Sequence, residues 1–373
     1  MILRKFNRIK LVLDGRYLEN TYGGIANYLH AIINYLDKDK YSIFVISVLP
    51  LYLKNVENIT IPLKIHRLYW EQIQLEELLK KIKPDLYHAT ANYGIPFITP
   101  FKTILTVHDL IPLSVHNYFQ NSKFPFISKM LYRWEINSSI NKAKVIICNS
   151  KYTSKEVISK FHQIKNKIVV IPMGIDNLYL RTPKPNVFSN YLLCHGGLGD
   201  RKNNSMLIRC FAEASLKYPI IFKNLKIIFT GDNRHQIDEL TYLSRSLGID
   251  NRINFAGCLT KSQLFNLLCG AKAVIYPSSA EGFGIPVLEA MSQKIPIVAS
   301  NLPVFHEVAD DVPLYFNIKQ PESLIQSIIT AVSESHASRV GKGRVLAEKY
   351  TWNHTIELTD HIYEKTMNDD TVN

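Results

Sequence analysis

Short apolar runs alternate with amphipathic stretches through both halves of this 373-residue chain, which predicts an α/β protein of parallel sheets flanked by helices. Two observations add to that alternation. In each half the first apolar run empties into a glycine loop that opens a helix: Tyr22-Gly-Gly-Ile-Ala-Asn27, then Gly196-Gly-Leu-Gly-Asp-Arg-Lys-Asn203. Between the halves, Pro172-Met-Gly-Ile-Asp176 and the breakers Thr182–Pro185 interrupt the pattern. The expected organisation is two domains, 1–176 and 177–350, followed by a last helix in 351–373. The length suits two domains of ordinary size, and no short-period repeat is present.

In the first half, Lys10–Leu13 reads as a strand ending at Asp14-Gly15. After the Gly23-Gly24 turn, apolar residues at 25, 29, 32, 33 and 36 predict a helix over Ile25–Leu36. The turn lacks the GxGxxG spacing, so no dinucleotide site follows from it. Tyr41–Leu49 is a strand, Trp70–Lys83 a helix stopped by Pro84, and Asp85–Ala89 and Lys102–Val107 are strands. The second of these delivers His108-Asp109 to a C-terminal strand end, where open α/β sheets place ligands. A strand-end histidine also serves as a structural residue, and Asp109 reads as orienting the loop. Ser122–Asn141 puts Phe126, Met130 and Trp134 on one helical line with Lys129 and Arg133 beside it. Such a helix suits a membrane surface or a lipid acceptor, and equally an ordinary pack against the sheet. Val145–Cys148, Lys151–Phe161 and Lys167–Ile171 read as strand, helix and strand.

The second half opens on a strand, Tyr191–His195. Arg201-Lys202 follow at the entrance of a helix from about Asn204; together they can clamp a diphosphate, or be surface charge. Leu225–Thr230 and Ile253–Phe255 are strands, the latter leading to Gly257-Cys258-Leu259; Lys261–Cys269 is a helix. Ala273–Pro277 is a buried strand, Ser278–Gly284 a small-residue loop, and Pro286 opens a short helix before the strand Pro296–Ala299. Tyr350-Thr-Trp352 begins the last helix, to about Met367. The glycines at 282 and 284 let a backbone approach a ligand, and a helix N-terminus behind them favours an anion. Glu281 and Glu289 bracket that loop, and the set suits a ligand bearing both phosphates and hydroxyls.

Composition narrows the partners. An apolar fraction of 46% with 20% charged residues is globular. No run reaches the ~18–20 apolar residues a bilayer span needs, and Asp14 cuts the N-terminal apolar stretch too short for a signal peptide. Five cysteines (148, 194, 210, 258, 269) form no metal spacing, and their odd number argues against a disulfide framework, so a cytoplasmic protein is expected. Residues 1–176 hold 24 Lys+Arg against 13 Asp+Glu, or +11, out of a total of +12. The excess leaves an anionic partner open there: a lipid surface, a phosphorylated acceptor or nucleic acid, against a solvated basic face. No nucleic-acid motif accompanies it, and no nucleic acid is expected.

The string Glu281-Gly-Phe-Gly-Ile-Pro-Val-Leu-Glu289-Ala resembles the E-x7-E motif of the retaining glycosyltransferases of family four, which have the GT-B fold. The resemblance covers most of the chain and implies two Rossmann-like domains facing each other across a cleft, the first for the acceptor and the second for a nucleotide-sugar. It implies that Glu281 contacts the donor sugar, Glu289 the ribose hydroxyls, and Gly282, Phe283, Gly284 and Val287 the donor. Lys202 falls on the phosphate-binding lysine, and Arg201 replaces an arginine many members carry where this chain has Gly197. Cys258 and Leu259 lie where the base is contacted, Gly23 and Gly24 where donor phosphates and acceptor approach, and His108 where a cleft histidine stands. The tryptophan segment at 352 crosses back to the first domain in relatives. The catalytic pair expected is His108 and Glu281, with no cofactor and no metal.

LDGR…GGIANY, HDLIPL and GGLGDRKN are most similar to bacterial mannosyl- and rhamnosyltransferases of O-antigen, lipopolysaccharide or other surface-polysaccharide synthesis. That implies GDP-mannose ahead of dTDP-rhamnose as donor and a lipid-linked or glycan acceptor. It also implies a peripheral place on the anionic cytoplasmic face of the inner membrane. A nucleotide-sugar 2-epimerase and a non-catalytic nucleotide-sugar-binding subunit are the alternatives.

Overall fold

The computed structural model describes residues 8–19, 23–63, 66–115, 118–120, 122–181 and 189–368; Tyr22 and the Thr182–Pro185 breakers lie outside them. The chain forms two compact units, 1–174 with 352–373, and 175–351. The first unit therefore stops two residues before the sequence-read boundary. Ile175 donates its amide to Tyr350 O at 3.0 Å, and Asp176 pairs with Lys261 at 2.7 Å, so both residues are held by the second unit.

The first unit's strands are β1 (Ile9–Asp14), β2 (Tyr41–Ser47), β3 (Glu57–Thr60), β4 (Leu86–Ala89), β5 (Lys102–Val107), β6 (Val145–Cys148) and β7 (Ile168–Val170). They pair in parallel in the order β3-β2-β1-β4-β5-β6-β7. Val12, Leu105 and Ile146 of the sheet pack with Ile136 and Ile140 of the helix Pro125–Lys142. The polar strand β3 was not foreseen: Glu-Asn-Ile-Thr has no alternation, and β2 alone holds it at the sheet edge. The expected helix Trp70–Lys83 is a π-helical turn at Trp70–Gln74 followed by Leu75–Ile82; the turn lets the Trp70 indole donate to Ile61 O at 2.7 Å. The last helix, Trp352–Asn368, belongs to the first unit. Lys40 pairs with Asp360 at 2.7 Å and with Glu364 at 2.6 Å, and the Tyr363 hydroxyl meets buried His88 Nδ1 at 2.7 Å.

The second unit's strands are β8 (Tyr191–Cys194), β9 (Lys226–Phe229), β10 (Ile253–Phe255), β11 (Ala273–Tyr276), β12 (Ile297–Ser300) and β13 (Leu314–Phe316). Their order, β10-β9-β8-β11-β12-β13, is again all parallel. Leu192, Ile275 and Val298 meet Phe211 and Ile325 from the helices Asn204–Lys217 and Pro321–Ser333. In each sheet the winding direction reverses between the first and fourth strands, and ligands of open α/β sheets bind beyond the C-terminal ends there. In the second unit those strands are β8 and β11, and they carry the two loops singled out in the sequence.

Candidate active site

The β8 loop runs from His195 into a 3-10 turn at Asp200–Lys202, and Asn203, left-handed at φ 54°, redirects the chain into the helix Asn204–Lys217. Gly196 sits at φ +109°, and a Cβ there would lie 3.2 Å from Pro286 Cγ and 3.3 Å from Lys202 Nζ. Glycine is what lets the lysine tail pass under the start of the helix Ile285–Ser292. The β11 loop is stitched alongside: the Ser279 amide donates to Arg201 O at 2.7 Å, and Arg201 NH1 donates to Ala280 O at 3.1 Å.

Three charges converge between these loops. Glu281 Oε1 accepts from Lys202 Nζ at 2.6 Å and from Ser278 Oγ at 2.8 Å, while Oε2 meets Arg201 NH1 at 2.6 Å. Burial alone would raise the Glu281 pKa, but Lys202 and then Arg201 outweigh it and hold the carboxyl at about 2. Burial pushes the Lys202 ammonium down, with Glu281 opposing it. The cluster therefore carries two cations and one anion. At Gly197 a Cβ would meet nothing within 4 Å, and it is Arg201 that brings a guanidinium to Glu281.

Glu289 lies one turn into the helix, buried, and among the described residues no Lys or Arg forms a salt bridge with it. Burial lifts its pKa to about 8; Lys261 opposes the rise and Asp176 adds to it. Its Oε2 approaches His195 Nδ1 at 3.8 Å, but burial, helped by Lys202, lowers the imidazole to about 3. Both groups are then neutral at pH 7, and the approach is no ion pair. The Tyr276 hydroxyl donates its one proton to Pro286 O at 2.6 Å, so His195 Nε2 must donate to the Tyr276 oxygen at 2.5 Å, leaving Nδ1 an acceptor. This His195–Tyr276–Pro286 staple fixes both strand ends to the helix. Sequence reading passed over it, although His195 has the same strand-end position that drew attention to His108.

Of the remaining residues, Phe283 and Val287 are buried within the unit, while Cys258 is exposed and Leu259 half-buried. The Gly231 amide donates to Gly257 O at 2.9 Å, and a Cβ on Gly231 would lie 2.9 Å from Gly197 Cα. Cys258 and Leu259 thus follow Gly257, whose carbonyl holds the Gly231 loop that in turn packs against Gly197. A cleft of about 510 Å³ lies nearby, lined by Asp200, Arg209, Gln236 and Tyr242 among others. It includes none of Lys202, Glu281 and Glu289, and its volume alone does not make it the chemical centre.

Gly23, Gly24 and His108 belong to the first unit. Gly23, at φ 136°, precedes the helix Gly24–Tyr35 with no side-chain cap. His108 is buried; its Nε2 donates to Thr90 O at 2.8 Å, and among the described residues Nδ1 has no hydrogen-bond partner. Burial lowers it to about 4, against the pull of that carbonyl, so the ring is a neutral acceptor at pH 7. Asp109 accepts from the Ile111 amide at 3.0 Å, turning the loop. Among the described residues no group of three His, Cys, Asp or Glu could hold a metal ion, and no helix is long and apolar enough to cross a membrane.

Residues 22–177 match the family model described as Glycosyltransferase Family 4, and residues 181–343 match that described as Glycosyl transferases group 1. The chain is 24% identical over 302 residues to O-antigen chain mannosyltransferase B of Escherichia coli, across 77% of this chain and 76% of that one. It is 30% identical over 250 residues to O-antigen chain mannosyltransferase RfbU of Salmonella typhimurium, across 67% and 65%. The solved structure of Anabaena Alr3699/HepE in complex with UDP and glucose superposes with a TM-score of 0.77 over 96% of this chain and 100% of that one, at 17% identity, a likeness of fold. One match falls on each half of the chain, and the parallel-sheet architecture agrees with both: the chain belongs to the group 1, family-four glycosyltransferases and has their GT-B fold.

Proposed function

We propose that this glycosyltransferase moves a hexose, mannose from GDP-mannose ahead of rhamnose from dTDP-rhamnose, onto a hydroxyl of a lipid-linked or surface-glycan acceptor, with retention at the anomeric carbon and without a metal. The observation that carries the reading is the Arg201–Lys202–Glu281 cluster at the strand-reversal point of the second unit. As the glycosidic bond breaks, the leaving diphosphate gathers charge. Lys202 as a point charge and Arg201 as a fork stabilise that charge, a role for which many transferases use a metal ion. Glu281 then takes the sugar hydroxyls, Glu289 the ribose, and the bare Nδ1 of His108 accepts from a hydroxyl of sugar or acceptor. The mannosyltransferase relatives support mannose, and their O-antigen chains support a glycan acceptor presented at a membrane.

Calorimetric titration of the purified chain in a chelator, with GDP, UDP and dTDP and then their sugar conjugates, tests this. Selective binding of GDP and GDP-mannose is expected. Binding only after a divalent cation is restored would remove the metal-free reading, and binding of none would remove the donor site.

A further inference from the structure

His195, which follows β8, is buried and has no part in the transfer proposed above. Its two ring nitrogens meet different surroundings. Nε2 donates to the Tyr276 oxygen at 2.5 Å while the Tyr276 hydroxyl donates to Pro286 O at 2.6 Å, which ties the strand end to the helix carrying Glu289. The two rings meet edge to face with centroids 5.4 Å apart, so the imidazole plane is fixed along with its tautomer. Nδ1 is left as an acceptor, and Glu289 Oε2 stands 3.8 Å from it. That separation is too long for a hydrogen bond, but the last torsion of a glutamate is broad, and turning the carboxyl toward Nδ1 costs little. Tyr179 holds the same carboxyl. Its buried hydroxyl donates to Glu289, and its carbonyl accepts at 2.6 Å from Nε2 of Gln293, the residue that ends that helix. A carboxyl raised to about 8 by burial still carries its proton at pH 7. Tyr179 comes to it as a donor, whereas the neutral Nδ1 accepts.

Resting on the donor-site reading above, we propose that His195 is the positioning residue of the ribose subsite: its Nδ1 accepts from one oxygen of the Glu289 carboxyl and so turns the other oxygen toward the ribose hydroxyls. The strand-end staple aims the imidazole, the imidazole aims the carboxyl, and the carboxyl reads the sugar of the nucleotide. A histidine that only fastened the helix to the sheet would be indifferent to that sugar. A ribose and a 2′-deoxyribose differ by a single hydroxyl, so the preference between them reports how Glu289 is turned.

Calorimetric titration of the full chain with GDP and with 2′-deoxy-GDP tests this. Wild type should bind GDP roughly tenfold more tightly, the scale of one well-made hydrogen bond. His195→Gln keeps a donor near the Nε2 position for Tyr276 but lacks the Nδ1 acceptor. Its preference should fall to about twofold or less, at an unchanged thermal midpoint. His195→Asn keeps an acceptor near the Nδ1 position and loses the reach to Tyr276. Its preference should stay near the wild-type ratio while the thermal midpoint drops. Glu289→Gln gives a check that leaves the histidine in place: its amide donates to Nδ1 and its oxygen faces the ribose, so the preference should persist. A full preference in His195→Gln, or its loss in His195→Asn or Glu289→Gln, would overturn the inference and leave the donor site standing. Equal binding of the two nucleotides by wild type would remove the ribose role of Glu289 and this inference together, with the diphosphate clamp untouched. Binding of neither would remove the donor site as well.

Discussion

Both units wind their first and fourth strands in the same way, yet the charges set at the two reversal points have opposite balance. In the first unit the β1 end supplies Asp14, and Arg16 lies between it and Glu71: Arg16 NH2 meets Asp14 Oδ2 at 2.6 Å and NH1 pairs with Glu71. Two carboxylates share one guanidinium, which is also stacked on Trp70 at 4.7 Å. Burial would lower the Arg16 pKa, and Asp14 and Glu71 drive it well above its ordinary value instead. In the second unit two cations share one carboxylate, Glu281. The first arrangement has no charge left for an anion. The second has one in excess, and it alone is chemically suited to a diphosphate. The same topology therefore yields a structural knot in one place and a candidate ligand site in the other, according to which sign is in the minority.

The largest expected effect comes from breaking the knot. Arg16→Ala leaves Asp14 and Glu71 buried without their cation, and denaturant unfolding should show a loss of about 3–5 kcal/mol, the cost of stranding a buried charge. The equivalent cut in the second unit, Lys202→Ala, leaves Arg201 on Glu281. It should therefore spare much of the stability while weakening nucleoside diphosphate binding by about 1.5–3 kcal/mol, the worth of hydrogen bonds to charged groups. If Lys202→Ala unfolded the protein as severely as Arg16→Ala, the contrast between the two sites would be lost.

How much of this contrast is legible in the chain differs between the units for a physical reason. Arg201, Lys202 and Glu281 could be nominated because each sits in a glycine-containing loop after an apolar run, and strand ends of one parallel sheet must converge. Arg16 and Glu71 could not: Glu71 lies in an amphipathic segment where a carboxylate reads as solvated, and only the packed sheet buries it beside β1. The fold class was legible from alternation, but the edge strands β3 and β13 and the helices Arg234–Ser246 and Pro303–Ala309 were not read. Edge position alone does not explain this, since the edge strands β7 and β10 are legible as apolar runs; β3 lacks such a run, with Glu57, Asn58 and Thr60 polar. The position of Glu289 was visible in the motif, but its neutral state was not, because burial is a tertiary property.

That neutral state of Glu289 can be read by pH. A carboxyl at about 8 when folded and near 4.5 when unfolded holds its proton longer in the folded state. Its contribution is complete below pH 4.5 and is lost as pH rises toward 8. His195, His88 and His108, lowered to about 3, 3 and 4, act in the opposite sense but only below about 6.5. Glu135, raised to about 7 by burial against Arg67, is half titrated at that pH and adds only the tail of its loss above it. Between pH 7 and 8 the wild type should therefore lose stability, by at most about 1.4 kcal/mol per pH unit from Glu289, and Glu289→Gln should flatten that limb. An unchanged slope in Glu289→Gln would mean that the buried carboxyl is already ionised.

The smallest effect bears most directly on what the excess cation is for. Glu281 occupies the faces of Lys202 and Arg201 that a diphosphate would use, so a diphosphate there would have to share or displace a carboxylate held at about 2. Glu281→Gln keeps the shape and the Ser278 contact but removes the competing charge. A nucleoside diphosphate without sugar should then bind more tightly than to wild type, by about tenfold or ~1.4 kcal/mol, while sugar transfer should fall if Glu281 engages the sugar as proposed. These opposite signs are the discriminating result. A site in which Glu281 meets only the sugar would leave diphosphate affinity unchanged, and a site in which it merely props the loop would lose affinity and transfer together.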